Sequence, residues 1–147
     1  MIGLLQRVTR ASVAVDQKVI GEIGKGLLVL IGIEKNDTAS QAERLLERLL
    51  GYRVFPDNNG KMNLSLADIK GGLLLVPQFT LPADTRKGMR PGFSSAAPPE
   101  QGKELFEYLL SLAKRKYHTV ASGQFGADMQ VTLTNDGPVT FWLHSQP

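Results

Sequence analysis

Apolar and polar positions alternate with period two over residues 11–15 and more loosely over residues 2–8, so the chain opens with a strand broken near Thr9-Arg10. Asp16-Gln17 predicts a hairpin turn into a second strand over residues 18–23. Residues 26–33 form a continuous apolar run, the pattern of a strand covered on both faces. Asn36-Asp37-Thr38 then supplies N-cap chemistry for a helix to about Leu50. Its apolar positions Ala42, Leu45, Leu46, Leu49 and Leu50 fall on one stripe. Tyr52 to Phe55 reads as a short strand, Pro56-Asp57-Asn58-Asn59-Gly60 as a turn, and residues 61–70 as a brief alternation.

Gly71-Gly72 introduces another buried strand, Leu73-Leu74-Leu75-Val76, which runs into Pro77-Gln78-Phe79-Thr80-Leu81. Residues 82–99 form a loop rich in proline, glycine, serine and alanine, and a connection of that length in a compact domain is usually functional. Pro99 opens a second helix that runs to about Lys116, with Leu105, Phe106, Leu109, Leu110 and Ala113 as its apolar stripe. Residues 119–125, 129–134 and 139–144 read as the closing strands. The last two meet at Asn135-Asp136-Gly137-Pro138, which predicts a tight bend between strands. Gly-Pro is also where a cis peptide is energetically reachable, and a cis bond there turns both neighbouring carbonyls the same way. The expected fold is α/β: a mostly antiparallel, barrel-like sheet of seven or eight strands with two packed helices, forming one domain over residues 1–147.

Composition narrows the chemistry. With 42% apolar and 21% charged residues the chain is a globular protein. No apolar run approaches the roughly 20 residues of a bilayer span, and the N-terminus lacks a signal-peptide pattern, so the expected location is the cytoplasm. Cysteine is absent, which removes disulfides, thiolate metal sites and a cysteine nucleophile. Only two histidines occur, so the expectation is no metal and no cofactor. The net charge of +3, with basic clusters at residues 86–90 and 114–116, accommodates a phosphate-bearing partner.

The usual catalytic patterns fail on their context. Gly92-Phe93-Ser94-Ser95-Ala96 resembles a nucleophile elbow, but it follows a loop and ends in alanine. Gly21, Gly24 and Gly26 match no phosphate-loop spacing. His118 and His144 have no motif partner, and Asp57, Asp68, Asp84 and Asp128 sit in turns. The better candidate is residues 77–81, at the carboxyl end of a buried strand beside the long loop. There Gln78 and Thr80 supply polar side chains, and Phe79 and Thr80 supply backbone N–H groups able to hold an oxyanion. An enzyme built this way leaves the activating group to its substrate and supplies position and backbone dipoles.

Two segments, Pro77-Gln78-Phe79-Thr80-Leu81 and Asn135-Asp136-Gly137-Pro138-Val139-Thr140, together resemble the paired motifs of the D-aminoacyl-tRNA deacylases, Ser-Gln-Phe-Thr-Leu and Asn-x-Gly-Pro-Val-Thr. Leu5-Gln6-Arg7-Val8, Gly24 to Val29, Arg90-Pro91 with Phe93 and Ala96-Ala97, and Gly123 to Met129 also resemble family segments in the same order. The resemblance implies the fold of that family, a cytoplasmic homodimer with no membrane association, and hydrolysis of the ester between a D-amino acid (or glycine) and the 3′ end of tRNA. It implies that Gly137-Pro138 is a cis peptide presented into the partner's pocket, where its carbonyls exclude an L side chain. It gives Arg7 the role of bracing that motif across the subunits. Gln78, Phe79 and Thr80 flank the scissile carbonyl, Phe125, Gly126, Ala127 and Met129 line the pocket for the terminal adenosine, and the tRNA 2′-hydroxyl helps activate water.

Pro77 departs from the family, which has serine there; a related deacylase of relaxed chirality, acting on mischarged L-Ala-tRNA, also begins this motif with proline. Phe79 and Val139 agree with the D-specific group, whereas Met89 and Gly92 depart from its asparagine and serine. Two alternatives therefore stand beside the D-specific hydrolase: the L-Ala-tRNA deacylase and a non-catalytic module that binds the tRNA end.

Overall fold

In a computed structural model, which describes residues 1–147, the chain opens with β1 (Ile2–Val15), a 14-residue strand. The strand break expected near Thr9-Arg10 is absent; irregular pairing between Val8 and Arg10 takes its place. β2 (Lys18–Ile23) returns antiparallel through Asp16 and Gln17, both in the left-handed region at φ 50° and 66°. β3 (Gly26–Gly32) pairs antiparallel with residues 2–8 of β1. α1 (Ala39–Gly51) follows, its Thr38 N-cap tied back by a 2.7 Å hydrogen bond from the Thr38 N–H to the Gln41 side chain. β4 (Phe55–Pro56) and β5 (Met62–Leu64) form a separate small hairpin. α2 (Leu66–Ile69) is a short helix where alternation had suggested none, so the chain has three helices and not the two expected. Its Ser65 and Asp68 side chains cap each other's backbone N–H groups, a local arrangement that outweighs four residues of period-two pattern.

β6 (Gly72–Pro77), α3 (Pro99–Lys116), β7 (Val120–Ser122) and β8 (Gln130–His144) complete the chain. The main sheet has the order β2-β1-β3-β6-β7, with β8 on the other edge of β1. β1 runs antiparallel to β2, β3 and β8, whereas β3, β6 and β7 are mutually parallel. Helical connections allow that parallel block, since a parallel pair needs a long crossover. The sheet curls until Gly21 of β2 lies against the backbone of Ser122 in β7, giving a nearly closed barrel.

Both faces of β3 and β6 are covered, which is why their sequences are continuously apolar. Leu27, Val29, Leu73 and Leu75 meet Leu45, Leu49, Phe106 and Leu109 of α1 and α3. Leu28, Leu74 and Val76 face inward with Val8, Val13 and Ile23. The Met1 amine is buried at the end of β1, 2.7 Å from Asp37 Oδ1 and 2.8 Å from the Ser145 carbonyl. Glu34 lies 3.1 Å from the same amine and 2.5 Å from His144 Nε2. Burial alone would raise the Glu34 pKa, but these two hydrogen bonds outweigh it and hold the carboxyl below its ordinary value. His144 is thus committed to packing at the sheet end.

Candidate active site

β6 is buried along its whole length and ends at Pro77, so it delivers residues 78–80 from a rigid support. The Gln78 N–H continues the sheet, donating to the Ile31 carbonyl at 2.8 Å. The chain then turns, with Leu81 N–H donating to Gln78 at 3.2 Å and Ala83 N–H to Thr80 at 3.1 Å. Between them, the backbone N–H groups of Phe79 and Thr80 donate to nothing in the chain. Two adjacent uncommitted donors at a strand end are the arrangement an oxyanion requires. The Gln78 side-chain amide donates to Thr80 Oγ1 at 2.5 Å, which leaves the hydroxyl bonded to a neutral group and to no base. Phe79 is 69% exposed and stacks on Phe93 at a centroid distance of 5.8 Å.

These residues open onto a cavity of about 700 Å³. Gln78 and Phe79 line it together with Phe125, Gly126, Ala127 and Met129, which the sequence had grouped only by resemblance. Thr80, Arg7, Gly137 and Pro138 do not line it. Every side chain of the lining is apolar except that of Gln78, and none of them titrates. Sequence reasoning assigned no site role to Phe93, to Ala96 through Pro99 or to Gly102, all of which line the cavity. Gly102 carried a readable signal, because glycine inside a helix is unfavourable unless something approaches closely. Here a Cβ would stand 3.2 Å from Cζ of Phe125.

The segment 135–140 is not the expected bend between two strands. β8 stays paired with β1 on both sides of it, Asn135 opposite Val8 and Thr140 opposite Gln6. Four residues of β8 therefore bulge out opposite the single residue Arg7. The bulge is held from inside and from below. Asn135 Oδ1 accepts the Val139 N–H at 3.0 Å, and Asn135 Nδ2 donates to Thr140 Oγ1 at 2.9 Å. Arg7 donates through Nε to the Asp136 carbonyl at 3.0 Å and through Nη1 to the Val54 carbonyl at 2.7 Å. Gly137-Pro138 is a cis peptide, and Gly137 has φ +135°. A Cβ at Gly137 would lie 2.7 Å from Val139 Cγ2 and 3.2 Å from Arg7 Nη2, so only glycine fits.

Of the candidates set aside in the sequence, His118, Asp57, Ser94 and Ser95 do not line the cavity, although Phe93 and Ala96 beside the two serines do. His118 stacks on Tyr117 at 4.4 Å just beyond α3, and Ser95 uses its carbonyl to accept the Lys35 N–H at 3.1 Å. Asp57 accepts the N–H groups of Asn59 and Lys61 at 2.8 and 3.0 Å within its turn.

Comparison with known proteins gives the family and the fold. Residues 4–144 match the family described as D-Tyr-tRNA(Tyr) deacylase. The D-aminoacyl-tRNA deacylase of Nitrosococcus oceani is 64% identical over 147 residues, covering 100% of this chain and 95% of that one. That of Pseudomonas fluorescens is 63% identical over 145 residues, covering 99% and 100%. A solved structure titled c-Myc DNA Unwinding Element Binding Protein superposes with a TM-score of 0.95 at 41% identity, covering 100% of both chains. A probable eukaryotic D-amino acid tRNA deacylase superposes at 0.83 over 97% of each chain with 19% identity, a likeness of fold. With both motifs held in one fold and the match running through almost every residue, the chain belongs to the D-Tyr-tRNA(Tyr) deacylase family.

Proposed function

We propose that this chain hydrolyses the ester joining a D-amino acid or glycine to the tRNA 3′ end, within a homodimer whose second subunit supplies the chiral filter. As a member of its family it is a D-aminoacyl-tRNA deacylase, a hydrolase acting on aminoacyl-tRNA. The observation that carries the mechanism is the cavity lining, in which no side chain titrates, set beside the uncommitted N–H groups of Phe79 and Thr80. The terminal adenosine occupies the apolar end near Phe125, Gly126, Ala127 and Met129. The ester carbonyl sits against residues 78–80. Water adds to that carbonyl while the ribose 2′-hydroxyl relays its proton, and the backbone N–H groups hold the oxyanion. The bond from the carbonyl carbon to the 3′-oxygen then breaks, and that oxygen leaves with a proton, releasing the amino acid and the tRNA.

Gly137 and Pro138 are outside their own chain's cavity, so the filter is read as the partner's. Their carbonyls would bind the α-amino group and leave room only for hydrogen where an L residue carries its side chain. The dimer reading is supported by β8, whose outer edge pairs with no strand of this chain and which exposes Phe141 and Trp142. Residues 1–147 act as one deacylase unit. No helix is long and apolar enough to cross a membrane, and a tRNA substrate puts the work of the protein in the cytoplasm.

The test is multiple-turnover cleavage at enzyme concentrations far below substrate. D-Tyr-tRNA should be cleaved, L-Tyr-tRNA should survive, and a 2′-deoxy terminal adenosine should slow cleavage by about 100-fold or more, the scale of general acid–base assistance. Retention of D-Tyr-tRNA without turnover would make this a binding module. Pro77 favours one rival, and preferential cleavage of L-Ala-tRNA would establish it.

A further inference from the structure

We propose that the loop closed by Asp84 and Gly92 is a phosphate clamp for the unpaired 3′ strand of the tRNA, with Lys87 and Arg90 as its two phosphate-binding side chains. The inference rests on the deacylase reading and adds where the nucleic acid is gripped outside the cavity.

The loop is a built unit. Asp84 N–H donates to the Gly92 carbonyl at 2.7 Å, and Gly92 N–H returns to the Asp84 carbonyl at 2.9 Å, pinning the two ends together. The Asp84 carboxylate accepts the Arg86 N–H at 3.1 Å and both Nε and Nη2 of its guanidinium, at 2.9 and 2.8 Å. Arg86, although exposed, is therefore paired with an acidic side chain of its own loop. Lys87 and Arg90 are exposed and take no hydrogen-bond or ion-pair partner, so two uncompensated positive charges stand at the tip. Met89 between them is 99% exposed and contributes to no core.

Position converts this charge into a binding site. Phe93, one residue beyond the pinned end, lines the cavity and stacks on Phe79; both rings are exposed, at 43% and 69%. Arg90 is three residues from Phe93, a chain distance of at most about 11 Å. A strand whose terminal nucleoside fills the cavity and that leaves over these exposed rings passes the loop that ends one residue before Phe93. Cationic side chains along the backbone, with aromatic faces for the bases, are how proteins hold single strands. The other basic cluster, Lys114-Arg115-Lys116, closes α3, in which Gly102 is the last residue lining the cavity, which puts it about 18 to 21 Å away along the helix.

The experiment compares wild type with Lys87→Ala/Arg90→Ala on D-Tyr-tRNA and on 3′-O-D-tyrosyl-adenosine, which carries no phosphate. The ratio of kcat/KM for the tRNA over the nucleoside ester should fall about 30-fold, and the slope of log kcat/KM against log salt should flatten by about 1.4 for two lost single-strand phosphate contacts. Binding of uncharged RNA ending in CCA should weaken in parallel. An unchanged ratio, or equal RNA binding by both proteins, overturns the clamp. A wild type that binds this RNA more tightly than the double variant yet cleaves neither ester refutes the deacylase reading and leaves the clamp standing.

Discussion

β6 and β8 each carry one of the two motifs, and they are opposite in surroundings. β6 is six residues long, buried at every position and flanked by β3 and β7. β8 is fifteen residues long, pairs only with β1, and buries only Leu143 completely. The motif after β6 is thus part of a cavity complete within one chain, whereas the bulge in β8 is braced by Arg7 and does not line that cavity. A rigid interior strand suits the proposed carbonyl-holding group, and an open edge suits the proposed reach into a second subunit. The difference teaches that, if the proposed dimer joins them, the two motifs are finished to different degrees within one chain.

The largest effect should come from dividing those halves between subunits. Gly137→Ala forces a side chain into contacts of 2.7 and 3.2 Å at φ +135°, and Ala127→Trp fills the cavity. Each should lower D-Tyr-tRNA cleavage by about 100-fold, the scale for displacing a positioned group by about 1 Å. Unfolded together and refolded as a mixture, the two variants should regain about a quarter of wild-type activity, because half the symmetric dimers are mixed and each has one intact site. No recovery would mean that both motifs serve the same chain's site and would end the comparison.

A smaller loss is expected from Arg7→Lys. Lysine keeps the charge but cannot hold the Asp136 and Val54 carbonyls at once, so cleavage should fall about tenfold with a lower Tm, as for losing a charged hydrogen bond. An unaltered rate with a lowered Tm would make Arg7 a purely structural brace. Thr80→Ala should matter least, by about threefold, because the hydroxyl is bonded to the neutral Gln78 amide and the proposed oxyanion donors are backbone N–H groups. A drop exceeding that from a 2′-deoxy substrate would identify threonine as a nucleophile and break the scheme.

Local pattern determined much of this protein by itself. The buried strands β3 and β6, the stripes of α1 and α3 and the turn at Asp16-Gln17 follow from periodicity and turn chemistry, which act within a few residues. The two motifs were legible as strings, and the lack of cysteine and the scarcity of histidine already pointed away from side-chain nucleophiles and bases. The rest depended on partners distant in the chain. A turn-like tetrapeptide became a bulge because β1 pairs continuously on both sides of it, and no local signal carries that register. Ser65 and Asp68 turned an apparent alternation into a helix by capping each other. Phe93, Gly102 and Phe125 meet at one cavity because α3 crosses from the long loop back to β7, and the free N–H groups of Phe79 and Thr80 became visible only once the pairing of β6 and the turn after it was known. Propensity and pattern are properties of neighbours in sequence; which donors stay unpaired and which surfaces stay bare are decided by the packing of the whole chain.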